Sequence, residues 1–248
     1  QGIPETVTAA TCWFPSVEDA VNCVILTIQS GLPMARIELL DEVMVKGFNL
    51  YSKAELPEKP HLFLEFHGTP AAVEEQVRSF ADIAGEFGAE GWATAQGTEE
   101  RNALWTMRHS AHYATAALGP GSRILATDVC VPISHLAEAV VQAQREAVRL
   151  GLISTIVGHA GDGNFHAGVI VNPEDPGHMA RAEEFAVGLV ETALRLGGTI
   201  SGEHGIGLGK QKFMQAEHGP ALTYMRSVKA SFDPNNILNP GKILPPGS

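Results

Sequence analysis

Two histidines on either side of a glycine-rich turn are the residues best placed for chemistry in this chain. Residues 158–168 read GHAGDGNFHAG. If 153–159 and 165–171 are the arms of a β-hairpin, His159 and His166 stand opposite one another on one face, with Cβ atoms about 4.5–5.5 Å apart. Two imidazoles at that spacing suit a single divalent metal. Gly161 and Gly163 would supply positive φ for the tight connection. The competing reading is a pair of turn histidines hydrogen-bonded to backbone. A second stretch, SGEHGIG at 201–207, sets Glu203 and His204 side by side on a loop after a short strand. Two histidines and one carboxylate make a three-ligand site with open positions, the arrangement of catalytic rather than structural metals. His204 then remains as a free base. The competing reading here is a solvated turn.

Arg108 falls on a helix expected over 98–118, beside His109 and near His112. A guanidinium there can hold a substrate carboxylate through two parallel hydrogen bonds, or it is a solvated surface charge. Lys210 and Lys212 read as solvated, and Trp13, Trp92 and Trp105 as core or interface aromatics. The run GIGLGK at 205–210 is not GxGxxG, because Lys210 holds the last glycine position. It is not a P-loop either, since His204 stands at the first glycine and Gln211 replaces Ser/Thr. HExxH and GxSxG do not occur.

The elements that must position these residues follow from periodicity and punctuation. Strands are expected at 8–13, 35–40, 61–67, 91–96, 124–131, 153–159, 165–171 and 199–201. Helices are expected after an N-cap at Ser16, over 41–51, from Thr69-Pro70 to 87, and over 98–118, 132–150 and 177–196. Residues 202–209 are a glycine-rich loop, followed by one or two short helices and an extended tail. The order strand, helix, strand, strand, helix, strand occurs twice. That predicts an α+β fold: a duplicated ferredoxin-like (βαββαβ) antiparallel sheet with helices on one face, plus a C-terminal helical segment. The expected organisation is one domain over 1–210, in halves of about 1–97 and 98–210, and a C-terminal segment over 211–248.

Composition bounds the function. Of 248 residues, 44% are hydrophobic and 18% charged, which excludes a disordered chain. No stretch approaches the roughly 20 unbroken apolar residues of a membrane helix. Seventeen Lys+Arg against 28 Asp+Glu leave a net charge of −11, a surface that repels nucleic acid and anionic membranes. Cys12, Cys23 and Cys130 are odd in number and lack CxxC spacing, so they read as small buried hydrophobes in a reducing compartment, the cytoplasm. The sequence starts at Gln1 without a leader pattern, so a piece of something longer is expected.

Several motifs together carry a resemblance: RIELLDEVM (36–44), LFLEFHG (62–68), LWTMRH (104–109), TDVCVPISHL (127–136), GHAGDGNFH (158–166), SGEHGIGLGK (201–210) and FDPNNILNPGKIL (232–244). In this order, over essentially the whole chain, they resemble the C-terminal cap or substrate domain of FAD-linked oxidases of the vanillyl-alcohol-oxidase type. The sequence is most similar there to flavin-dependent, respiratory D-lactate dehydrogenases, with glycolate oxidase and D-2-hydroxyglutarate dehydrogenase as neighbours.

The resemblance implies that His159, His166 and Glu203 bind a divalent metal, zinc or manganese. It implies that His204 is the base, that Arg108 holds the substrate carboxylate, and that Asn239 of the tail lies near the flavin. The implied reaction oxidises a small 2-hydroxy acid to the 2-oxo acid by hydride transfer to FAD. The implied partners are an FAD-binding domain, expected to be missing from this chain, and a respiratory electron acceptor that would bring the protein to the periphery of the inner membrane. The chain alone is expected to be inactive. Two positions depart from the hydroxyglutarate enzymes: Ala126 stands where they carry a lysine and Gly168 where they carry an asparagine, which favours D-lactate. The rival readings are a metal-dependent hydrolase and a non-catalytic module that keeps an oxidase cap.

Overall fold

The computed structural model describes residues 3–95 and 97–246; Gln96, the expected end of one strand, lies outside them. The first three helices each begin where the sequence offers a side-chain acceptor to an unpaired N–H. Strand β1 (Thr6–Trp13) leads to α1 (Val17–Gln29), where Ser16 accepts the Asp19 N–H. Strand β2 (Arg36–Leu40) leads to α2 (Glu42–Ser52), capped in the same way by Asp41 on Met44. Strand β3 (His61–Gly68) leads to α3 (Pro70–Glu86), which has Thr69 as its cap and proline in its first turn, and then to β4 (Glu90–Thr94). Each such cap contributes about 1 kcal/mol.

The expected helix over 98–118 is two helices, α4 (Thr98–His109) and α5 (Ala111–Ala117). Ser110 Oγ bonds back to the Met107 carbonyl at 2.7 Å, a local bond that competes with helix continuation. The expected strand over 124–131 is likewise β5 (Arg123–Ala126) and β6 (Val129–Cys130). Between them the Thr127 hydroxyl takes the Ala167 N–H. Helix α6 (Leu136–Arg149), the hairpin β7 (Ser154–His159) and β8 (Asn164–Val171), α7 (Pro176–Arg195), α8 (Met214–His218) and α9 (Ala221–Phe232) complete the order. The strand expected at 199–201 is reduced to a single bridge between Thr199 and Cys130.

Eight strands among the described residues form an antiparallel sheet in the order β4-β1-β3-β2-β7-β8-β5, with β6 also on β8. The first four strands take the order of a ferredoxin-like unit, and a second unit joins it edge to edge through β2 and β7. Alternation along the strands sends side chains to opposite faces. Ile37, Leu39, Leu62, Leu64 and Phe66 enter the main core with residues of α1, α3, α6 and α7, such as Val24, Phe80, Val140 and Phe185. Leu40 and Phe63 enter a smaller core with Met44, Phe48, Trp105 and Ala114, from α2, α4 and α5. The four helices of the two units thus share one face, and a second, smaller helical layer covers part of the other. Each fully buried Leu or Phe contributes about 1.5–3 kcal/mol. Cys12 and Cys23 are buried as expected, and burial pushes the Cys23 thiol up to about 12. Cys130 is only half-buried, because it ends a two-residue strand and its Sγ reaches the Asp162 carbonyl.

Candidate functional site

A charged residue in an apolar buried strand must meet donors, since removing a carboxylate from water is otherwise costly. Glu38 on β2 is such a residue, and it meets two. One oxygen lies 2.7 Å from Nδ1 of His159, its cross-strand neighbour on β7. The other accepts from Nε of Arg108 at 2.9 Å and lies 2.8 Å from Nη2. Arg108 is therefore no solvated charge but part of a half-buried ion pair. One turn earlier on α4, the Trp105 indole N–H donates to the buried Glu65 carboxylate at 2.6 Å. Two buried glutamates on neighbouring strands thus seat α4 and aim its arginine.

The hairpin presents His159 and His166 on the same face, though not as direct partners. Register sets Val157 across from His166, and His159 lies two residues nearer the turn. The rings meet edge to face with centroids 6.0 Å apart. Ala160–Asp162 form a turn of 3-10 helix, and only Gly163 of the two expected glycines has positive φ, at 74°. The loop after Thr199 brings in Glu203. Its Oε1 lies 3.5 Å from Nε2 of His159 and 3.0 Å from Nε2 of His166.

Asp128 closes the row. Ala126 pairs with Gly168 and Val129 with Phe165, so Asp128 stands across from His166, whose Nδ1 is 3.5 Å from its Oδ1. The other Asp128 oxygen accepts the N–H of Glu203 at 2.9 Å, the N–H of His204 at 2.8 Å and the Ser201 hydroxyl at 2.9 Å. Oδ1 also accepts from the Asn164 amide at 2.8 Å. Burial alone would raise this carboxyl, but these donors outweigh it and hold Asp128 well below the usual carboxylate range. Lys210, read as solvated, instead donates to the Asp128 carbonyl at 2.8 Å and sits 3.5 Å from Oδ2. Gly202 has no room for a side chain: a Cβ there would come 1.8 Å from the Asn164 amide nitrogen. Lys212 is half-exposed and paired with Glu183.

The side chains form a line across the sheet: Glu38, His159, Glu203, His166, Asp128. The donor atoms of His159, His166 and Glu203 lie within 4.8 Å of one another, and those of Asp128, His166 and His204 do as well. The first group has the chemistry of a metal site. Each Nε2 faces the shared carboxylate oxygen, and each Nδ1 has a carboxylate behind it. Of these two carboxylate contacts only that of Glu38 is a hydrogen bond: Nδ1 of His166, on the Asp128 side, is buried without a hydrogen-bond partner. The second group does not fit as well, because the Asp128 oxygens are already taken by four donors. The His166 and His204 rings also stack nearly parallel at 4.8 Å, a poor geometry for gripping one ion. The Glu38 bond moves His159 above its ordinary pKa, whereas burial moves His166 below it.

Beside His159 a cavity of about 280 Å³ is lined by Arg36, Glu38, Trp105, Arg108 and His109. With two arginines on its wall it suits a small anion. A larger, mostly apolar groove of about 710 Å³ around Leu50, Val148 and Ile153 shares none of these residues. Asn239 is not brought into the row. It sits in the left-handed region at φ 49° with Lys242 as its polar partner. The tail that carries it returns to the glycine-rich loop, where Ile243 donates to the Gly207 carbonyl.

The family described as "FAD linked oxidases, C-terminal domain" matches residues 3–243, and the chain belongs to that family. Its relatives include a probable mitochondrial D-lactate dehydrogenase of Danio rerio, 43% identical over 244 residues, which are 98% of this chain and 49% of that protein. The mitochondrial D-lactate dehydrogenase (cytochrome) of Arabidopsis thaliana is 40% identical over 99% of this chain and 44% of its own length. The glycolate oxidase subunit GlcD of Bacillus subtilis is 33% identical over 97% and 52%. This chain spans about half the length of these relatives. Among solved structures, 4-ethylphenol oxidase from Gulosibacter chungangensis superposes with TM-score 0.72 over 99% of this chain and 55% of that one. At 14% identity, that likeness speaks for the fold alone. No helix among the described residues is long and apolar enough to cross a membrane.

Proposed function

We propose that this chain is the substrate- and metal-binding half of a flavin-dependent D-2-hydroxy-acid dehydrogenase that acts on D-lactate. One observation carries the reading: Nε2 of His159 and Nε2 of His166 converge on a single Glu203 oxygen, with carboxylates behind both outer nitrogens. His159, His166 and Glu203 would hold a divalent ion, zinc or manganese. When bound there, the ion polarises a substrate hydroxyl and lowers its pKa. FAD, when bound by the rest of the enzyme, would supply the hydride-accepting chemistry, and Asn239 would lie near it.

The chain's own residues bind, orient and take the proton. Glu38 occupies Nε and one hydrogen of Nη2 of Arg108, which leaves the edge formed by Nη1 and Nη2 for a carboxylate. Arg108 and His159 both line the small cavity, so in this reading the acid is held by its carboxylate with its hydroxyl toward the histidines. His204 is exposed on the loop, fixed through its backbone N–H to Asp128 and stacked on His166. In this reading it receives the hydroxyl proton. Ala126 and Gly168 are cross-strand partners two residues from the site, and neither offers a donor to a second carboxylate. This favours D-lactate over D-2-hydroxyglutarate. The same proposal keeps one domain over 1–210 and a C-terminal segment over 211–248, with a respiratory carrier as final electron acceptor.

The test has two parts. Calorimetric titration of the chain with zinc or manganese is expected to show binding of a single ion, abolished by Glu203→Gln and by His166→Ala. With the FAD-binding portion supplied, D-lactate is expected to reduce a dye at least about tenfold more efficiently than D-2-hydroxyglutarate. An absence of metal binding, or equal use of the two acids, overturns the corresponding part of the reading.

A further inference from the structure

From the two-sided contact of Glu38 we infer that this residue is a positioning residue, tying the metal-binding imidazole of His159 and the anion-binding guanidinium of Arg108 into one unit. The inference rests on the metal reading above. The observation is the sharing of one carboxylate: Oε1 is 2.7 Å from His159 Nδ1, while Oε2 lies 2.9 Å and 2.8 Å from Nε and Nη2 of Arg108. Glu38 is buried, with 7% of its side chain accessible, and it sits directly across the sheet from His159. Held by the arginine, it can only accept. Nδ1 of His159 must therefore carry the hydrogen, and the lone pair is confined to Nε2, the nitrogen that faces Glu203. A free imidazole divides its hydrogen between the two nitrogens. The fixed tautomer thus pre-forms a ligand that the ion would otherwise have to select.

The same carboxylate sets the rotation of the guanidinium. With Nε and Nη2 engaged by Glu38, the guanidinium of Arg108 is held in a single orientation in the wall of the cavity it shares with His159. Arg108 comes from α4, Glu38 from β2 and His159 from β7, so three separate elements are locked by one side chain. A change at Glu38 should weaken metal and anion together. A change at Arg108 should weaken the anion more than the metal.

The variant Glu38→Gln keeps the shape and one acceptor but cannot accept from both partners. Three measurements on the full chain decide the matter. Long-range proton–nitrogen NMR of the imidazoles, without metal, is expected to show His159 as the Nδ1–H tautomer in wild type and as a mixture in Glu38→Gln, a signature that a general structural role would leave unmoved. Zinc titration against a competing chelator is expected to show about 10- to 100-fold weaker binding in Glu38→Gln. Titration with oxalate as the anion probe is expected to weaken in both Glu38→Gln and Arg108→Lys, with zinc affinity lowered more by Glu38→Gln than by Arg108→Lys. If Glu38→Gln does not fold by circular dichroism, Glu38→Asp, one methylene too short to reach both partners, takes its place in all three. Unchanged tautomer and unchanged zinc affinity in the variant, beside normal zinc binding by wild type, overturn this inference and leave the metal reading standing. Failure of wild type to bind zinc overturns the metal reading and this inference with it.

Discussion

Replacing Asp128 by alanine is the most severe test of how the site is built. The carboxylate accepts four hydrogen bonds, from the N–H groups of Glu203 and His204, the Ser201 hydroxyl and the Asn164 amide. Hydrogen bonds to charged groups are worth about 1.5–3 kcal/mol each. The loop donors sit at the surface and regain water when released, so their full value is not lost. The Asn164 amide is buried and keeps only the Val129 carbonyl. The sum is a loss of about 4 kcal/mol, at the upper end for a single substitution. In a chain of this size that lowers Tm by roughly 10 °C. Asp128→Asn should lose about half as much: its oxygen can serve the loop, but its NH2 group then meets the Asn164 NH2, donor to donor. Thermal unfolding followed by circular dichroism gives the stability. Zinc titration at a temperature where both variants stay folded should show affinity reduced at least about tenfold, because the loop that delivers Glu203 has lost its anchor. An alanine variant within about 1 kcal/mol of wild type, with unchanged zinc affinity, would refute the anchoring argument.

Gly202→Ala places a Cβ 1.8 Å from the Asn164 amide nitrogen, so the loop must shift; zinc affinity should drop at least about tenfold, and wild-type affinity would show that the contact yields freely. Asp41, fully buried at the cap of α2, has its carboxyl pushed up to about 7 by burial. Its proton is held more tightly in the folded chain than in the unfolded one, so its contribution is favourable at low pH and is lost as pH rises from about 4 to about 7, by about 4 kcal/mol at roughly 1.4 kcal/mol per unit. Asp41→Asn keeps an acceptor for the Met44 N–H and should flatten that slope in urea unfolding; equal slopes in variant and wild type would dismiss the assignment.

Periodicity made the sheet and most helices legible, because most strands and helices bury an apolar face and the first three helices and α7 open with a side-chain cap. It failed where a polar side chain overrides the local pattern. Ser110 divides the helix over 98–118 by bonding to Met107, and Thr127 divides the strand over 124–131 by taking a ladder N–H from Ala167. The residues brought to the centre follow the same division. His159, His166, Glu203 and His204 could be found because histidines and acids among glycines are unusual in composition. Glu38, Asp128 and Lys210 could not be assigned partners, since their contacts lie 70, 75 and 82 positions away along the chain. A signal was nevertheless present for Glu38 and Glu65. Each is a lone carboxylate in an apolar strand, RIELL and HLFLEFH, and a carboxylate is buried only where donors are waiting.

The position of the row says something about the fold that neither ferredoxin-like unit says alone. Glu38 belongs to the first unit and His159 to the second, and they are cross-strand neighbours on the seam between β2 and β7. Arg108, on α4 of the second unit, reaches back across that seam to Glu38, and Trp105 reaches the first unit's Glu65. A unit isolated on either side of the seam would expose one buried carboxylate without its donors or one imidazole without its acceptor. The polar contacts across the seam therefore work against independent sliding of the two sheets: a shift of one residue would turn Glu38 toward the apolar core on the opposite face. Such a register error is penalised far more heavily than at an all-apolar edge. The same side chains that arrange the chemistry thus specify how the two units join.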